Sequence, residues 1–390
     1  MKSTGGNISP KDLMFAVFCF IQATVLRSGY IIAVTRQDSW AMAMTGFLFA
    51  IPIVAIYAAL LRKFPGKNLI EISDCIFGPI IGKVVSAFYL FFFLSLAALN
   101  AHDLGSFVVR YLMPETPIAM VLLISLMGCA YALRKGIENL MYLSICLSII
   151  VAGAVAINSI LVLNDMNPGF LKPFFQMDLM TYIQGTVTIG AVPMGEIIAF
   201  TMITPMLEKE KKVLKPLLFG LLLSAFSMAF AMLRDILTLG PLVSIVSLPS
   251  FESIRYVTLA DTLTRMESIY AVVLILLFLF KVCILLYAFI LGLSHILGRK
   301  NQPLPNQDHT NPSFNTDQPS NPKSFPPLTL ISTALVFFYS LIVFESAMEN
   351  IDWGASTAPF FSLTYELLLP AVSLLVAFLR KLGKAREVRE

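Results

Sequence analysis

Ten stretches of this chain each run for roughly the length a membrane crossing needs, about 20 mostly apolar residues. They lie near residues 11–35, 39–61, 84–110, 116–133, 137–163, 179–206, 213–240, 268–296, 328–345 and 358–380. Composition agrees: 57% of the 390 residues are hydrophobic and only 13% are charged, whereas soluble domains are nearer a quarter charged. A water-soluble fold of this size could not cover so much apolar surface. The pattern predicts an all-α integral membrane protein of about ten transmembrane helices.

Orientation follows from Lys and Arg, which favour the cytoplasmic side. Placing both termini in the cytoplasm puts 20 of the 28 basic residues on inside segments, including Arg62, Lys63, Lys67, Lys83, Arg134, Lys135, Lys209, Lys211, Lys212 and Lys215. The bias also supports an even number of crossings. The first apolar run is long and lacks a small-residue cleavage site, so it is expected to remain as span 1.

Two longer connections occupy matching places: residues 64–83 between spans 2 and 3, and residues 241–267 between spans 7 and 8. Both read as amphipathic and partly helical. With five spans per half, one lies inside and the other outside, as in a 5+5 inverted repeat. This divides the chain into spans 1–8 over residues 1–297, with a first repeat at 11–163 and a second beginning at 179–296. Spans 9 and 10 follow at 328–380, and residues 381–390 form a basic cytoplasmic tail. Residues 298–327 are polar and Pro-rich, cannot bury a core, and read as a flexible cytoplasmic linker.

Two spans carry interruptions. Span 1 reads Gln22-Ala-Thr-Val-Leu-Arg-Ser-Gly-Tyr30 and span 6 reads Thr188-Ile-Gly-Ala-Val-Pro-Met-Gly-Glu196. Pro193 lacks an amide hydrogen, and Gly29, Gly190 and Gly195 tolerate non-helical dihedrals. Unpaired backbone groups at membrane depth are costly unless they line a cavity or meet a ligand. Paired breaks at equivalent repeat positions therefore point to a midplane site, against the alternative of close packing and a Pro kink. Breaks are expected near 24–29 and 189–195.

Ionisable residues inside the spans are Arg27, Asp103, Glu196, Arg234, Asp235, Lys281 and Glu366. A central charge costs at least about 2.5 kcal/mol on insertion scales, so it faces the bundle interior with a partner. Glu196 flanks the span-6 break and Lys281 sits near the middle of span 8. At about 1.5 Å rise per residue the two fall at similar depth and can pair if the helices adjoin. Asp103, close to Asn100 and His102, competes for Lys281. The candidate ligand-binding set is Thr24, Arg27, Ser28, Gly29, Asn100, Asp103, Gly190, Val192, Pro193, Gly195, Glu196 and Lys281, and for each the alternative is a structural role.

No other chemistry is written in the chain. There is no GxSxG nucleophile motif, no Gly-rich phosphate loop and no basic stripe with aromatics. The three histidines (His102, His295 and His309) and five scattered cysteines suggest no metal site, disulfide framework or cofactor. No catalytic residue is expected.

The order of several motifs resembles the B subunit of spore germinant receptors, a branch of the amino acid–polyamine–organocation superfamily. The matching pieces are RSGYIIAVTRQDSW (27–40), KFPGKNLIEISDCIFGPIIGK (63–83), LRKGIENL (133–140), NPGFLKPF (167–174), VPMGEIIAFTMITPML (192–207) and the stretch from LTLG (237–240) through RYVTLADTLTRMES (255–268). The resemblance covers residues 8–297 and extends to the rest by topology. It implies a LeuT/APC-like bundle with helices 1 and 6 discontinuous, located in the spore inner membrane. It also implies sensing of an amino-acid-class nutrient, and assembly with a germinant receptor A subunit and a lipoprotein C subunit. One departure is that Arg27 precedes Ser28-Gly29 where the family has small residues, which adds a cation able to meet a carboxylate. The rival readings are a proton-coupled amino-acid transporter and a scaffold without its own ligand.

Overall fold

Helix ends follow local chemistry. The computed structural model describes residues 8–25, 29–207, 213–246, 248–255, 267–298 and 326–382. Helix α1 (Pro10–Val25) starts where the Asp12 carboxylate accepts from the Ser9 amide at 2.9 Å and Ser9 Oγ accepts from the Asp12 amide. This reciprocal box satisfies donors that a first turn leaves open. Helix α2 (Gly29–Thr35) leads into a tight turn at Arg36, φ 47°, and then α3 (Ser39–Lys63). Asn68 and Glu71 form a second capping box that opens α4 (Leu69–Phe77), inside the first long connection.

Spans 3, 4 and 5 are α5 (Ile81–Tyr111), α6 (Ile118–Lys135) and α7 (Ile137–Leu161). Gly136, φ 106°, makes the one-residue reversal between α6 and α7, a conformation glycine adopts without steric penalty. Span 6 is α8 (Leu179–Gly195) followed by a 3₁₀ helix at Glu196–Met202. Then come α9 (Leu214–Leu239), the short α10 (Pro249–Arg255) in the second long connection, α11 (Glu267–Ile296) and α12 (Pro326–Ile342). Span 10 is built from α13 (Ala347–Asp352), α14 (Ala358–Leu363) and α15 (Leu369–Leu379), with π-helical turns between them.

Among the described residues eight helical stretches are long and apolar enough to cross a membrane. Helices α1 and α12 are also apolar but shorter, at 16 and 17 residues. The protein is a multi-pass membrane protein. Its burial pattern is inverted relative to a soluble domain: Leu48, Ile124, Ile149, Phe226 and Phe338 are exposed, while Glu196, Arg234, Asp235, Lys281 and Glu366 are buried. Lipid takes the apolar exterior, and these buried charges face the bundle interior.

Helix packing carries the repeat. Exchanging each span n with n + 5 maps several of the main pairings onto each other. Span 1 on span 7 (α1 with α9) answers span 6 on span 2 (α8 with α3), and span 1 on span 5 (α1 with α7) answers span 6 on span 10 (α8 with α14). Span 3 on span 8 (α5 with α11) is its own counterpart. Even the connections correspond: α4 packs on α5 as α10 packs on α11. The halves share this packing scheme without obvious residue identity.

Two expectations need adjustment. Span 6 is not interrupted at 189–195: the α-helix runs through Pro193 to Gly195, and the change of helix type comes one residue later, at Glu196. Span 10 begins at Ala347 rather than 358. Residues 26–28 of the expected span-1 break (24–29) and residues 299–325 of the expected linker (298–327) lie outside the described residues, and Pro326 and Pro327 already belong to α12.

Candidate functional site

Where α8 hands over to the 3₁₀ helix, Glu196 is the first residue with the tighter pitch. Opposite it, α11 presents Lys281. Lys281 Nζ lies 2.5 Å from Glu196 Oε2, an ion pair that lacks hydrogen-bond alignment, and both side chains are shut off from solvent. The ammonium also donates to Thr24 Oγ1 at 2.5 Å, near the end of α1, and sits 4.8 Å from the centroid of the Phe20 ring. Phe20 in turn meets Phe200 edge-on, centroids 5.3 Å apart. One cation thus joins spans 1, 6 and 8.

The electrostatics explain why such a pair persists at this depth. An isolated ammonium or carboxylate here is strongly disfavoured, and attraction in a low-dielectric interior offsets much of that. The Thr24 hydroxyl and the Phe20 π-face add donor–acceptor and cation–π stabilisation. The net charge of the cluster is zero, and its members come from three separate helices.

Other sequence candidates fall into different places. Gly190 serves packing: a Cβ there would meet the Phe49 ring at 2.5 Å and the Gly46 carbonyl at 3.1 Å, where α8 crosses α3. Pro193 and Gly195 are buried, and Val192 is half-buried against the core. Asn100 turns back on its own helix, donating to the Leu96 carbonyl at 2.8 Å. Asp103 accepts from Asn350 at 2.7 Å, tying span 3 to α13, and Lys281 takes Glu196 as its ion-pair partner. His102 Nδ1 lies 2.9 Å from the Ser340 carbonyl, a packing contact. Gly29 is buried at the start of α2, and Arg27 and Ser28 lie outside the described residues.

Three participants were not singled out from sequence. Phe20 is one of 31 phenylalanines and carries no distinguishing signal. Tyr57 donates to the Glu366 carbonyl at 2.7 Å and lies 3.3 Å from the Gly195 carbonyl. Gln22 is fully buried two residues before Thr24, and among the described residues neither atom of its amide has a partner. A Gln in an apolar run was the available signal, since buried amides normally find partners.

The arrangement can exchange one set of polar contacts for another. A small zwitterion or anion entering between spans 1, 6 and 8 could take over the bonds that Lys281, Glu196, Thr24 and the open Gln22 amide offer. It provides no nucleophile–base pair, and no group of metal-ligating side chains occurs among the described residues.

A family model described as "Spore germination protein" matches residues 7–307. The chain is similar to Spore germination protein KB of Bacillus subtilis (strain 168), at 25% identity over 356 residues, covering 90% of this chain and 89% of that protein. It is also similar to Spore germination protein YndE of the same organism, at 23% identity, covering 72% of this chain and 81% of the relative. Among solved structures it superposes on Mhp1, a nucleobase-cation-symport-1 family transporter, in a closed conformation with bromovinylhydantoin bound. The TM-score is 0.69 at 12% identity, covering 97% of this chain and 80% of Mhp1. A Na+-coupled sialic acid symporter gives 0.57 at 11% identity, covering 91% and 79%. These structural likenesses establish the LeuT-like fold.

Proposed function

Because the chain belongs to the spore germination protein family, we propose that it is a nutrient-sensing subunit of a spore germination receptor. It binds a small molecule of the amino-acid class between spans 1, 3, 6 and 8. The observation that carries the reading is the buried Lys281–Glu196–Thr24 cluster at the change of helix type in span 6. An amino acid's carboxylate takes the place of Glu196 on Lys281, and its ammonium takes the place of Lys281 on Glu196. Contacts that held three spans in one arrangement are then partly redirected to the ligand. A ligand that favours one arrangement by its contacts shifts the population toward it. The change passes to a partner A subunit and a lipoprotein C subunit in the spore inner membrane, with both termini of this chain in the cytoplasm.

The test is direct binding to the purified full chain, screened across amino acids, sugars and nucleosides, with Lys281→Met and Glu196→Gln alongside. Saturable amino-acid binding lost in both variants supports the reading; binding unaffected by both removes the site. A second reading is a proton-coupled amino-acid transporter, favoured by the fold shared with symporters. Counterflow in proteoliposomes separates the two, since a sensor does not need to move its ligand.

A further inference from the structure

Glu366 is a second buried carboxyl, separate from the ion pair. It lies in the π-helical turn Thr364–Leu368 of span 10, a local distortion that recurs at functional positions in helices. The side chain is fully buried, and among the described residues neither oxygen has a hydrogen-bond partner. The carboxyl lies directly against Gly195, where a Cβ would overlap Oε2. Gly195 has an ordinary helical φ of −74°, so glycine is needed there for room rather than backbone freedom. The Tyr57 hydroxyl, between the carbonyls of Gly195 and Glu366, holds spans 2, 6 and 10 together at the same point.

Charge balance constrains the state of this carboxyl. The titratable groups around it are the Glu196–Lys281 ion pair of spans 6 and 8, the hydroxyl of Tyr57 on span 2, with Tyr89 of span 3 next to Tyr57, and Tyr365 on its own turn. Helices α14 and α15 contribute none. Lys281 is already matched by Glu196, so an ionised Glu366 would be an uncompensated anion near another carboxylate. A neutral acid in the same place forgoes only hydrogen bonds, a far smaller penalty than burying an unpaired charge.

We propose that Glu366 is a proton-binding site whose carboxyl stays neutral while spans 6 and 10 are packed together and releases its proton to water when they part. The step is a simple acid dissociation, with no bond formed or broken other than O–H. Ionisation in place is blocked, so proton release accompanies separation of span 10 from Gly195, and the balance between two bundle arrangements moves with pH. This site requires no nutrient and stands whether or not the ligand reading holds.

The experiment is infrared spectroscopy on the full chain in nanodiscs with ¹³C-labelled glutamate carboxyls, combined with thermal melts across pH. At neutral pH the wild type should show a protonated glutamic acid band. Glu366→Gln should lose it, and Glu196→Gln combined with Lys281→Met, which removes both charges of the ion pair, should keep it. The folding equilibrium of the wild type, relative to Glu366→Gln, should weaken by about tenfold per pH unit once the proton is lost only on opening or unfolding. Absence of the band in the wild type overturns the proposal even if Glu366→Gln fails to fold. Loss of the band in the Glu196→Gln, Lys281→Met double variant assigns the proton to the wrong residue, and a pH-independent stability difference removes the coupling.

Discussion

Two buried ion pairs in this molecule solve the same problem differently. Arg234 and Asp235 are sequence neighbours on α9, joined at 2.6 Å, and fully buried. Ser250 and Ser253, on α10, donate to the Asp235 carboxylate, and Arg234 Nη2 donates to Ser250 at 2.8 Å. The charges meet within one helix, and hydroxyls from the adjoining connection bond both of them. Lys281 and Glu196 instead come from different spans and meet through one ion-pair contact, and Lys281 alone donates to one hydroxyl from a third span. A pair that satisfies itself locally locks span 7 to α10. A pair drawn from three helices can be reassigned when those helices or a ligand rearrange. A buried pair is therefore a weak indicator of function until it is known how many independent elements supply it.

Breaking the locked pair should have the largest effect. Asp235→Ala strands Arg234 in a dry site and should destabilise the fold by about 3–5 kcal/mol, the usual range for uncovering a buried charge. It should appear as lost expression or a much lower melting temperature, without selectivity for ligand. Lys281→Met should be milder, about 1–3 kcal/mol, because the remaining Glu196 can take up a proton rather than stay charged. Its larger effect should be on ligand response, and a loss of stability equal to that of Asp235→Ala would dissolve the contrast between the pairs.

Gly195→Ala sharpens the comparison from the side of span 10. The new methyl meets the Glu366 carboxyl, and overpacking of this kind costs about 1–3 kcal/mol. Melting temperature should drop, and Gly195→Ala combined with Glu366→Gln should remain low, since the clash is steric. Thr24→Val removes one hydroxyl from the Lys281 cluster and should cost about 1 kcal/mol, read as a modest melting shift. Smallest should be His295→Gln, which removes a half-exposed 2.7 Å contact to Asp74 between α11 and α4. Exposed pairs of this type contribute up to about 1 kcal/mol.

Much of this was legible from residue types in order. Charges inside apolar runs stand out, and Glu196 and Lys281 were identified at similar depth before any geometry was available. Most span positions follow from the length of the apolar runs, whereas span 10 begins earlier than its apolar run indicates. The placement of the span-6 change was less legible, because small residues have two uses. Gly190 and Gly195 were read as permitting non-helical backbone, yet both serve close approach, to Phe49 and to Glu366. Sequence does not reveal which neighbour a glycine admits. Glu366 stands out as an intramembrane charge, but that its carboxyl has no hydrogen-bond partner among the described residues depends on the packing of three spans.

The most direct test of the central claim is a double-mutant cycle on Lys281 and Glu196, read both as melting temperature of the full chain and as nutrient-triggered germination of spores carrying each variant. If the pair links pocket occupancy to helix movement, Lys281→Met with Glu196→Gln should be milder than the two single losses combined, by about 1 kcal/mol or more. Strictly additive losses in both readouts would contradict the account.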